Sequence, residues 1–493
     1  MKKYNKNQTY LYYENALFHC KTEKEIAEYK EKLEVLKRDE EVNVSKTAIV
    51  IVSYNNEELT KACIQSIREN NAPETYQIIV VDNASSDGIV AWLTEQKDVL
   101  LIANQENKGF PYACNQGIGV ADEGADIFLL NNDTIVPKDA LFWLRMGLYE
   151  NEQIGATGSV SNSVVNYQQV PEQFETVEEW LRFAEQNNIE MEHPYEKKGW
   201  LVGFAMLLKR TAINKILVAE GKVNGAVPEV LDNRFSPGNY EDNDLSIRLL
   251  QNGYQLLLCK NSFIFHHGGK SFGKQREKYT KLLLENQKKL ADKYGIDFIP
   301  YSYVESALVD MVKPARQDFS VLEIGCKLGA TLARIESRYP QSAVWGIEPN
   351  GKLAELAKQV SNVQCEDILE IEIAGNSKYS EKYDYVLLDN SLSQTDVPEK
   401  MLRKVAECVK PDGILLVSVD NRQCIRQKFR GFTLDQIVEL FNRCGLQLKE
   451  FNYRPLVCNQ EEQKRLSEIM KETDASMRPL YEAERFIFAA RKV

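Results

Sequence analysis

A chain of 493 residues is too long for one hydrophobic core and predicts about two or three domains. Its 43% hydrophobic and 27% charged residues are those of a soluble globular protein, and a net charge of −11 offers no basic surface for nucleic acid. No run of about 18 apolar residues predicts a membrane span, the N-terminal MKKYNKNQTYLYYENALF lacks a signal-peptide core, and ten scattered cysteines without CxxC spacing point to reduced thiols in the cytoplasm.

Residues 1–45 are charged, with Ile26, Tyr29, Leu33 and Leu36 at helical spacing, and predict a helical extension that packs on the next domain or meets an acceptor or partner. From Thr47 the pattern alternates. Ala48–Val52 and Ile78–Val81 are β-branched runs, LTKACIQSIREN between them is helical, and Asp126–Leu130 runs into Asn131-Asn132-Asp133. Strands alternating with helices predict a mostly parallel, doubly wound sheet whose ligands bind beyond the C-terminal strand ends. KQREKYTKLLLENQKKLADK is a charged helix that closes the first domain or links it to the next, in a segment assigned as a helical linker over 275–317. A second α/β series starts at Ser320 with VLEIG, AVWGIEPN, YDYVLLDN and ILLVSVDN, and the closing RFIFAARKV reads as a strand of that sheet. The predicted divisions are 1–45, 46–274, 275–317 and 318–493, the two larger ones both Rossmann-like α/β domains.

Polar groups gather at the strand ends of the first series. Asp82 opens the turn after QIIVV, where a carboxylate either holds a ribose or base or caps the turn. Asp133 ends FLLNND, either in reach of a cation in the cleft or simply a turn residue. Glu241-Asp242-Asn243-Asp244 precedes the helix LSIRLLQNGY, where helix capping is the alternative to chemistry. His266-His267-Gly268-Gly269 follows another strand, where the histidines are either structural or metal ligands.

In order, IVIVSYNN, IIVVDNASSDG, NKGFPYACNQGIG, FLLNNDTIV, WLVGFAML, YEDNDLSIRLLQNGY and IFHHGGKSF resemble the family 2 glycosyltransferases, particularly the rhamnosyltransferase-like branch. The resemblance implies a GT-A fold, a nucleotide-diphosphate sugar donor, a divalent cation (Mn or Mg) and a single in-line displacement with inversion. Tyr54 and Asp82 would contact the nucleoside, with Asn107, Lys108 and Asn115 near the base or diphosphate. Asn131 takes the first position of a DXD-like motif, leaving the metal site one charge weaker, and Asp133 would bind the metal. His266, or His267 as the fallback, would be a further ligand. Asp242 would be the general base, and Trp200, Gly203 and Glu241 would lie on the acceptor side. No QxxRW follows the ED pair, which favours single transfer over polymer extrusion. The expected acceptor is a glycan, a lipid-linked precursor or a protein, in cell-surface glycan biosynthesis, with peripheral membrane association left open.

The turn Gly325-Cys326-Lys327-Leu328-Gly329 after VLEI, the strand end Gly346-Ile347-Glu348-Pro349, Cys365-Glu366-Asp367-Ile368 and YDYVLLDN together resemble the class I S-adenosylmethionine-dependent methyltransferases over 318–450. The resemblance implies a methionine pocket shaped by Glu323, Gly325 and Gly329, a ribose held by Glu348, an adenine amino group at Asp367 and a reaction centre near Asp389. Two departures stand out. Lys327 replaces the middle glycine of the motif, and Asp389–Thr395 contains no histidine or glutamate. Three readings remain: a glycosyltransferase with a degenerate methyltransferase-like domain used for docking or subunit pairing, a bifunctional enzyme that also uses S-adenosylmethionine, and a non-catalytic assembly protein.

Overall fold

A computed structural model describes residues 4–222, 227–268, 276–373, 378–426, 430–472, 474 and 477–492. The chain divides into two compact units, Met1–Tyr301 and Ser302–Val493. The expected boundary at 274/275 and the Gly269–Ser271 part of the histidine motif lie outside the described residues.

The first unit is built on β1 (Thr47–Ser53), β2 (Tyr76–Asp82), β3 (Val99–Ala103), β4 (Asp126–Asn131), β5 (Thr134–Ile135), β6 (Ile154–Val160), β7 (Tyr195–Lys198), β8 (Ala205–Leu208), β9 (Gln255–Phe263) and β10 (Phe265–His266). Eight of these form one sheet, in the order β3-β2-β1-β4-β8-β6-β9-β7. The strands β1 to β4 run parallel, and β8 lies antiparallel between β4 and β6. Helices cover both faces, which is why β1 reads TAIVIVS, apolar on both sides rather than alternating. One face packs Ile49, Ile51, Ile78, Val80, Phe128 and Leu130 against Cys63, Ile64 and Ile67 of the helix Glu57–Asn70. The register pairs Ser53 with Asp82 and Val52 with Asn131, so the polar strand ends emerge at one edge of the sheet. The remaining strands, β5 and β10, pair antiparallel above that edge.

The N-terminal segment is two helices, Lys6–His19 and Glu23–Asp39, each opened by a reciprocal capping box. The first is fastened to the sheet unit. Leu11 enters the core at 1% exposure, Asn5 donates to the Tyr149 and Glu150 carbonyls (2.8 and 3.1 Å), and Arg145 pairs with Glu14 at 2.6 Å. The second buries no residue fully, and its Ile26, Tyr29, Leu33 and Leu36 stripe is partly covered.

The helix Arg276–Tyr294 lies within the segment 275–317 that reads as a linker, yet it belongs to the first unit. Three bonds explain this, for Asn286 Nδ2 donates to the carbonyls of Phe235, Gly238 and Asn239 at 3.0 to 3.1 Å. A buried hub adds to them. Asp244, fully enclosed, accepts from Arg248 Nε (2.9 Å), Lys293 Nζ (2.5 Å) and the Tyr294 hydroxyl (2.7 Å), and Lys293 also reaches Asp232 at 2.8 Å. Removing one partner of such a hub leaves the others buried and uncompensated.

In the second unit β11 (Ser320–Ile324), β12 (Ala343–Ile347), β13 (Val363–Gln364), β14 (Tyr383–Asp389), β15 (Val409–Asp420), β16 (Leu446–Pro455) and β17 (Ala483–Lys492) are ordered β13-β12-β11-β14-β15-β17-β16. The first five strands are parallel, and β17 is inserted antiparallel between β15 and β16. Its sequence shows the period of two. Phe486, Phe488 and Ala490 join the core on one face with Leu322, Val386 and Leu388, while Ile487 and Ala489 join the other with Val321, Tyr385 and Leu387. The closing run is therefore an internal strand, buried on both faces.

We expect Asp244→Ala to lower the stability of the first unit by about 3–5 kcal/mol, read as a fall in its calorimetric Tm. Glu28→Ala, which removes the exposed Lys32 pair, is expected to leave that transition where it is.

Candidate functional site

The chain leaves β4 at Asn131, turns through Asn132 and Asp133, and enters β5. Pairing of β5 with β10 sets His266 opposite Thr134, and the His267 N–H donates to the Asp133 carbonyl at 2.9 Å. His266 Nε2 then lies 3.2 Å from Asp133 Oδ1, with each side chain 14% exposed. On the other side of the ring, Nδ1 lies 2.8 Å from the Ser163 carbonyl. A carbonyl only accepts, so Nδ1 carries the hydrogen and Nε2 faces the carboxylate, positioned for a proton or a cation. Asn162 holds the His266 backbone at both ends, accepting its N–H at 2.9 Å and donating to its carbonyl at 3.0 Å. Phe204 stacks on the ring at 5.2 Å, and the Phe204 carbonyl accepts the Asn131 N–H at 2.8 Å. The Asn131 amide is 3.4 Å from Nε2.

Burial alone would raise the Asp133 carboxyl and lower the His266 imidazolium. The bond and charge between them outweigh it, holding Asp133 below the usual carboxylate range and His266 above the usual imidazole value. Among the described residues no cluster of three or more His, Cys, Asp or Glu side chains could hold a metal ion. At this site the described residues bring together the Asp133 carboxylate and the His266 imidazole. A carboxylate suits Mn²⁺ or Mg²⁺ and an imidazole suits Mn²⁺, so these two side chains would fit such an ion.

Asp242 approaches from the start of the helix Glu241–Gln251. Its Oδ2 accepts the Gly203 N–H at 3.0 Å and its Oδ1 the Asn243 N–H at 2.8 Å. A Cβ on residue 203 would stand 3.3 Å from the Asp242 Cβ, so glycine there permits the approach. Gly203 and Phe204 are consecutive, and through them one turn of backbone supports both the Asp242 carboxylate and the His266 ring. Burial raises the Asp242 carboxyl. Glu241, 7% exposed, is pushed up to about 8 by burial and then by the neighbouring Asp242 charge, and one of its oxygens is buried without a hydrogen bond. Asp133 and His266, the expected metal ligands, thus form a pair, and Asp242, the expected base, is joined to it through Gly203-Phe204.

The expected donor contacts separate into two kinds. Tyr54, 50% exposed, and the exposed Asn107 and Lys108 stand at the surface; Asn107 caps its own loop by accepting the Gly109 N–H at 2.9 Å, and the Lys108 ammonium lies 5.1 Å from the Tyr112 ring centre. Asp82 is only 1% exposed, its Oδ1 accepting the Ser85 N–H at 2.9 Å and its Oδ2 the Ser85 hydroxyl, which is the turn-capping alternative. Asn115 is a correction. Fully buried, it donates to the Leu231 carbonyl (2.7 Å) and accepts the Leu231 N–H (2.8 Å), bracing a helix against a loop rather than facing a base or diphosphate. Trp200 is also buried, at 5%, and its carbonyl accepts from Asn166 at 2.7 Å, so its ring presents little surface to an acceptor.

Four residues escaped the sequence reading: Phe204, Asn162, Ser163 and Asn83. The last, 2% exposed, accepts from Asn104 at 3.0 Å and donates to the Gly109 carbonyl at 3.2 Å, tying together the loop before the helix Phe110–Gly119. For Asn162 and Ser163 the signal was the polar run after β6, which ends at the same side as His266.

In the second unit Gly325, Lys327 and Gly329 all adopt positive φ (68°, 57° and 73°) in the turn after β11. Glu348 accepts the Lys327 N–H at 2.8 Å and the Asn350 N–H at 2.9 Å. Asp367 accepts the Leu369 N–H at 2.8 Å, closing its own turn. Glu323 is 2% exposed, with one oxygen unpartnered and its carboxyl driven well upward by burial and then by the Asp389 charge.

Residues 48–217 match the family model described as Glycosyl transferase family 2, and residues 322–415 match that of a Methyltransferase domain. Over 111 residues the chain is 31% identical to an uncharacterized glycosyltransferase, YfnE, of Bacillus subtilis, covering 22% of this chain and 28% of that protein. Over 102 residues it is 34% identical to a poly(ribitol-phosphate) beta-glucosyltransferase of Bacillus spizizenii, covering 20% and 16%. The chain thus spans less than a third of the length of either relative. Among solved structures it is similar to an S-adenosylmethionine dependent methyltransferase from Mesorhizobium loti (13% identity, 38% of this chain and 96% of that one, TM-score 0.28) and to the [4+2]-cyclase SpnF (15%, 38% and 80%, TM-score 0.29).

The Asp133–His266 pair predicts a pH dependence in metal-free protein. The Asp133 contribution is present above the ordinary carboxylate value and lost as pH falls through its depressed folded value. The His266 contribution is complete below the ordinary imidazole value and lost as pH rises through its elevated folded value. Urea unfolding under chelator from about pH 6 to about pH 9 is expected to show stability falling with pH, and the His266→Gln variant to lose that component of the slope.

Proposed function

From the premise that this chain joins a family 2 glycosyl transferase domain to a methyltransferase-type domain, we propose that the first unit transfers one sugar from a nucleotide-diphosphate donor to an acceptor hydroxyl, with inversion at the anomeric carbon. The observation that carries this is the joint support of the Asp133–His266 pair and the Asp242 carboxylate by Gly203-Phe204. Asp133 and His266 would hold a divalent cation, Mn²⁺ or Mg²⁺, which when bound neutralises the charge developing on the departing diphosphate.

The rest is the work of the protein's own residues. Asp242 takes the proton of the attacking hydroxyl. The new C–O bond forms as the bond from the anomeric carbon to the diphosphate breaks, and its electron pair leaves with the diphosphate. Two backbone N–H groups, from Gly203 and Asn243, keep Asp242 oriented, and burial lifts its proton affinity toward that of a useful base. Burial and the neighbouring Asp242 charge push the Glu241 carboxyl up to about 8, which disfavours a second negative charge beside Asp242. Exposed Tyr54, Asn107 and Lys108 are the surface on which the nucleoside and diphosphate rest, Lys108 supplying positive charge.

The acceptor is a glycan, a lipid-linked precursor or a protein, and the work belongs to cell-surface glycan assembly on the cytoplasmic side. The name of the Bacillus spizizenii relative, which glucosylates poly(ribitol phosphate), adds a polyol-phosphate chain to these classes. Among the described residues no helix is long and apolar enough to cross a membrane, and a membrane-bound acceptor would be met by peripheral association.

The test is donor turnover across a panel of nucleotide sugars with Mn²⁺. Asp242→Asn is expected to lower kcat by about 10²–10⁴-fold while metal-dependent donor binding persists. Asp133→Ala and His266→Ala are expected to lose the metal-dependent part of donor binding in a thermal shift. Unchanged turnover in Asp242→Asn would remove the base from the mechanism.

A further inference from the structure

The C-terminal strand ends of the second unit gather an acidic set, Glu305, Glu323, Glu348, Asp389 and Asp420, each at most 8% exposed. Cations of the same chain are already seated in it. Lys327 extends from the turn after β11, and its ammonium donates to Asp389 Oδ2 at the end of β14. Arg485 of β17 donates to the other Asp389 oxygen (2.8 Å) and to Glu305 (2.8 Å), and lies 3.3 Å from Asp420. Arg454 reaches Glu305 at 3.1 Å, and the Ser418 hydroxyl donates to Asp389 Oδ1 at 2.7 Å.

The position of the Lys327–Asp389 bond matters more than its strength. β11 and β14 are the neighbours at which the strand order reverses, β12 and β13 lying to one side and β15 onward to the other. In a doubly wound sheet the crevice at that reversal receives the ligand. Here an ammonium and its aliphatic stem run from one strand end to the next across it. Lys327 does so from φ 57°, a conformation that favours glycine and is strained for a lysine unless its surroundings hold it. Its N–H is bonded to Glu348, and its ammonium to Asp389.

An adenosyl sulfonium with an amino-acid tail fits these residues poorly. The Glu348 oxygens both accept backbone N–H groups, Asp367 is turned into its own loop, and Asp389 is engaged on both oxygens. The turn is also covered, since a Cβ on Gly325 would stand 2.7 Å from the Ser391 hydroxyl, which itself donates to the Ile324 carbonyl at 3.1 Å. Burial would raise the Asp389 carboxyl, yet the Lys327 and Arg485 charges and the bonds from Lys327 and Ser418 hold it below the ordinary range. The carboxylate is thus satisfied without a ligand, and an incoming cation would meet a resident one.

We propose that Lys327 is a tethered cation that occupies the cofactor crevice of the second unit, so that this domain binds no S-adenosylmethionine and keeps its acidic strand ends as an internal ion network. The inference is independent of the sugar-transfer reading. Isothermal titration of the full chain with S-adenosylmethionine and with S-adenosylhomocysteine is expected to show no saturable binding up to about 1 mM. Lys327→Gly removes the stem and charge and tolerates the positive φ. It is expected to bind S-adenosylhomocysteine at least about tenfold more tightly than wild type. Saturable one-to-one binding by the wild-type chain overturns the proposal, and so does a Lys327→Gly variant with native circular dichroism that gains no binding. Should that variant not fold, amine acylation of the wild-type chain, read by mass spectrometry, decides. Slow labelling of Lys327 that is indifferent to S-adenosylmethionine supports the plug, and labelling that changes on addition of the cofactor refutes it.

Discussion

The site in the first unit depends on a two-residue antiparallel ladder. The pairing of β5 with β10 sets Thr134 opposite His266, and everything chemical near Asp133 follows from it. Without that ladder the carboxylate would be one more turn residue after a parallel strand, and the histidine one more strand-end imidazole. The ladder is short, so its geometry is secured from outside. Asn162 grips both ends of the His266 backbone, Ser163 orders the ring by taking its Nδ1 hydrogen, and Phe204 covers one face. Each contact orients the histidine rather than competing for Nε2, the arrangement expected where a ring nitrogen is to hold a cation.

The two units treat buried charge in opposite ways. In the first, the most enclosed acid, Asp244, is consumed by Arg248, Lys293 and Tyr294 and serves only to fasten a helix, while Asp133, Asp242 and His266 keep partial exposure. In the second, Glu323, Glu348, Asp389 and Asp420 are enclosed, and Lys327 and Arg485 both bond to Asp389. Burying an ionised group is costly unless it is paired and hydrogen-bonded. A site that must receive a charged ligand therefore leaves some of that pairing unmade, whereas a carboxylate such as Asp389, engaged on both oxygens, has little left to offer.

Several identities in the motifs look alike and act differently. Asp82 ends a parallel strand and Asp133 follows another by two residues, yet Asp82 is folded onto Ser85, three residues away, while Asp133 meets a histidine from another part of the chain. Asn107 and Asn115 occupy one short stretch. The first caps an exposed loop; the second is buried as a brace against Leu231. Helix 276–294 reads from its charged sequence either as the close of the first domain or as a connector, and Asn286 and the Asp244 hub tie it to the first unit.

What the amino-acid order determined alone was the scaffold and the chemistry on offer. Apolar β-branched runs specify buried parallel strands, 3.6-residue periods specify the helices that cover them, and polar residues at the strand ends mark the edge where ligands bind, because these patterns express local backbone preference and burial. Lys327 in a glycine position was legible in the same way, as a breach of a local rule. Only the tertiary structure decided which polar groups remain available. That choice turns on partners distant in the chain, such as Leu231 for Asn115, Gly203 for Asp242, His266 for Asp133 and Asp389 for Lys327. A hydrogen bond satisfied by such a partner removes a residue from the chemistry, and no local pattern records that it has been made.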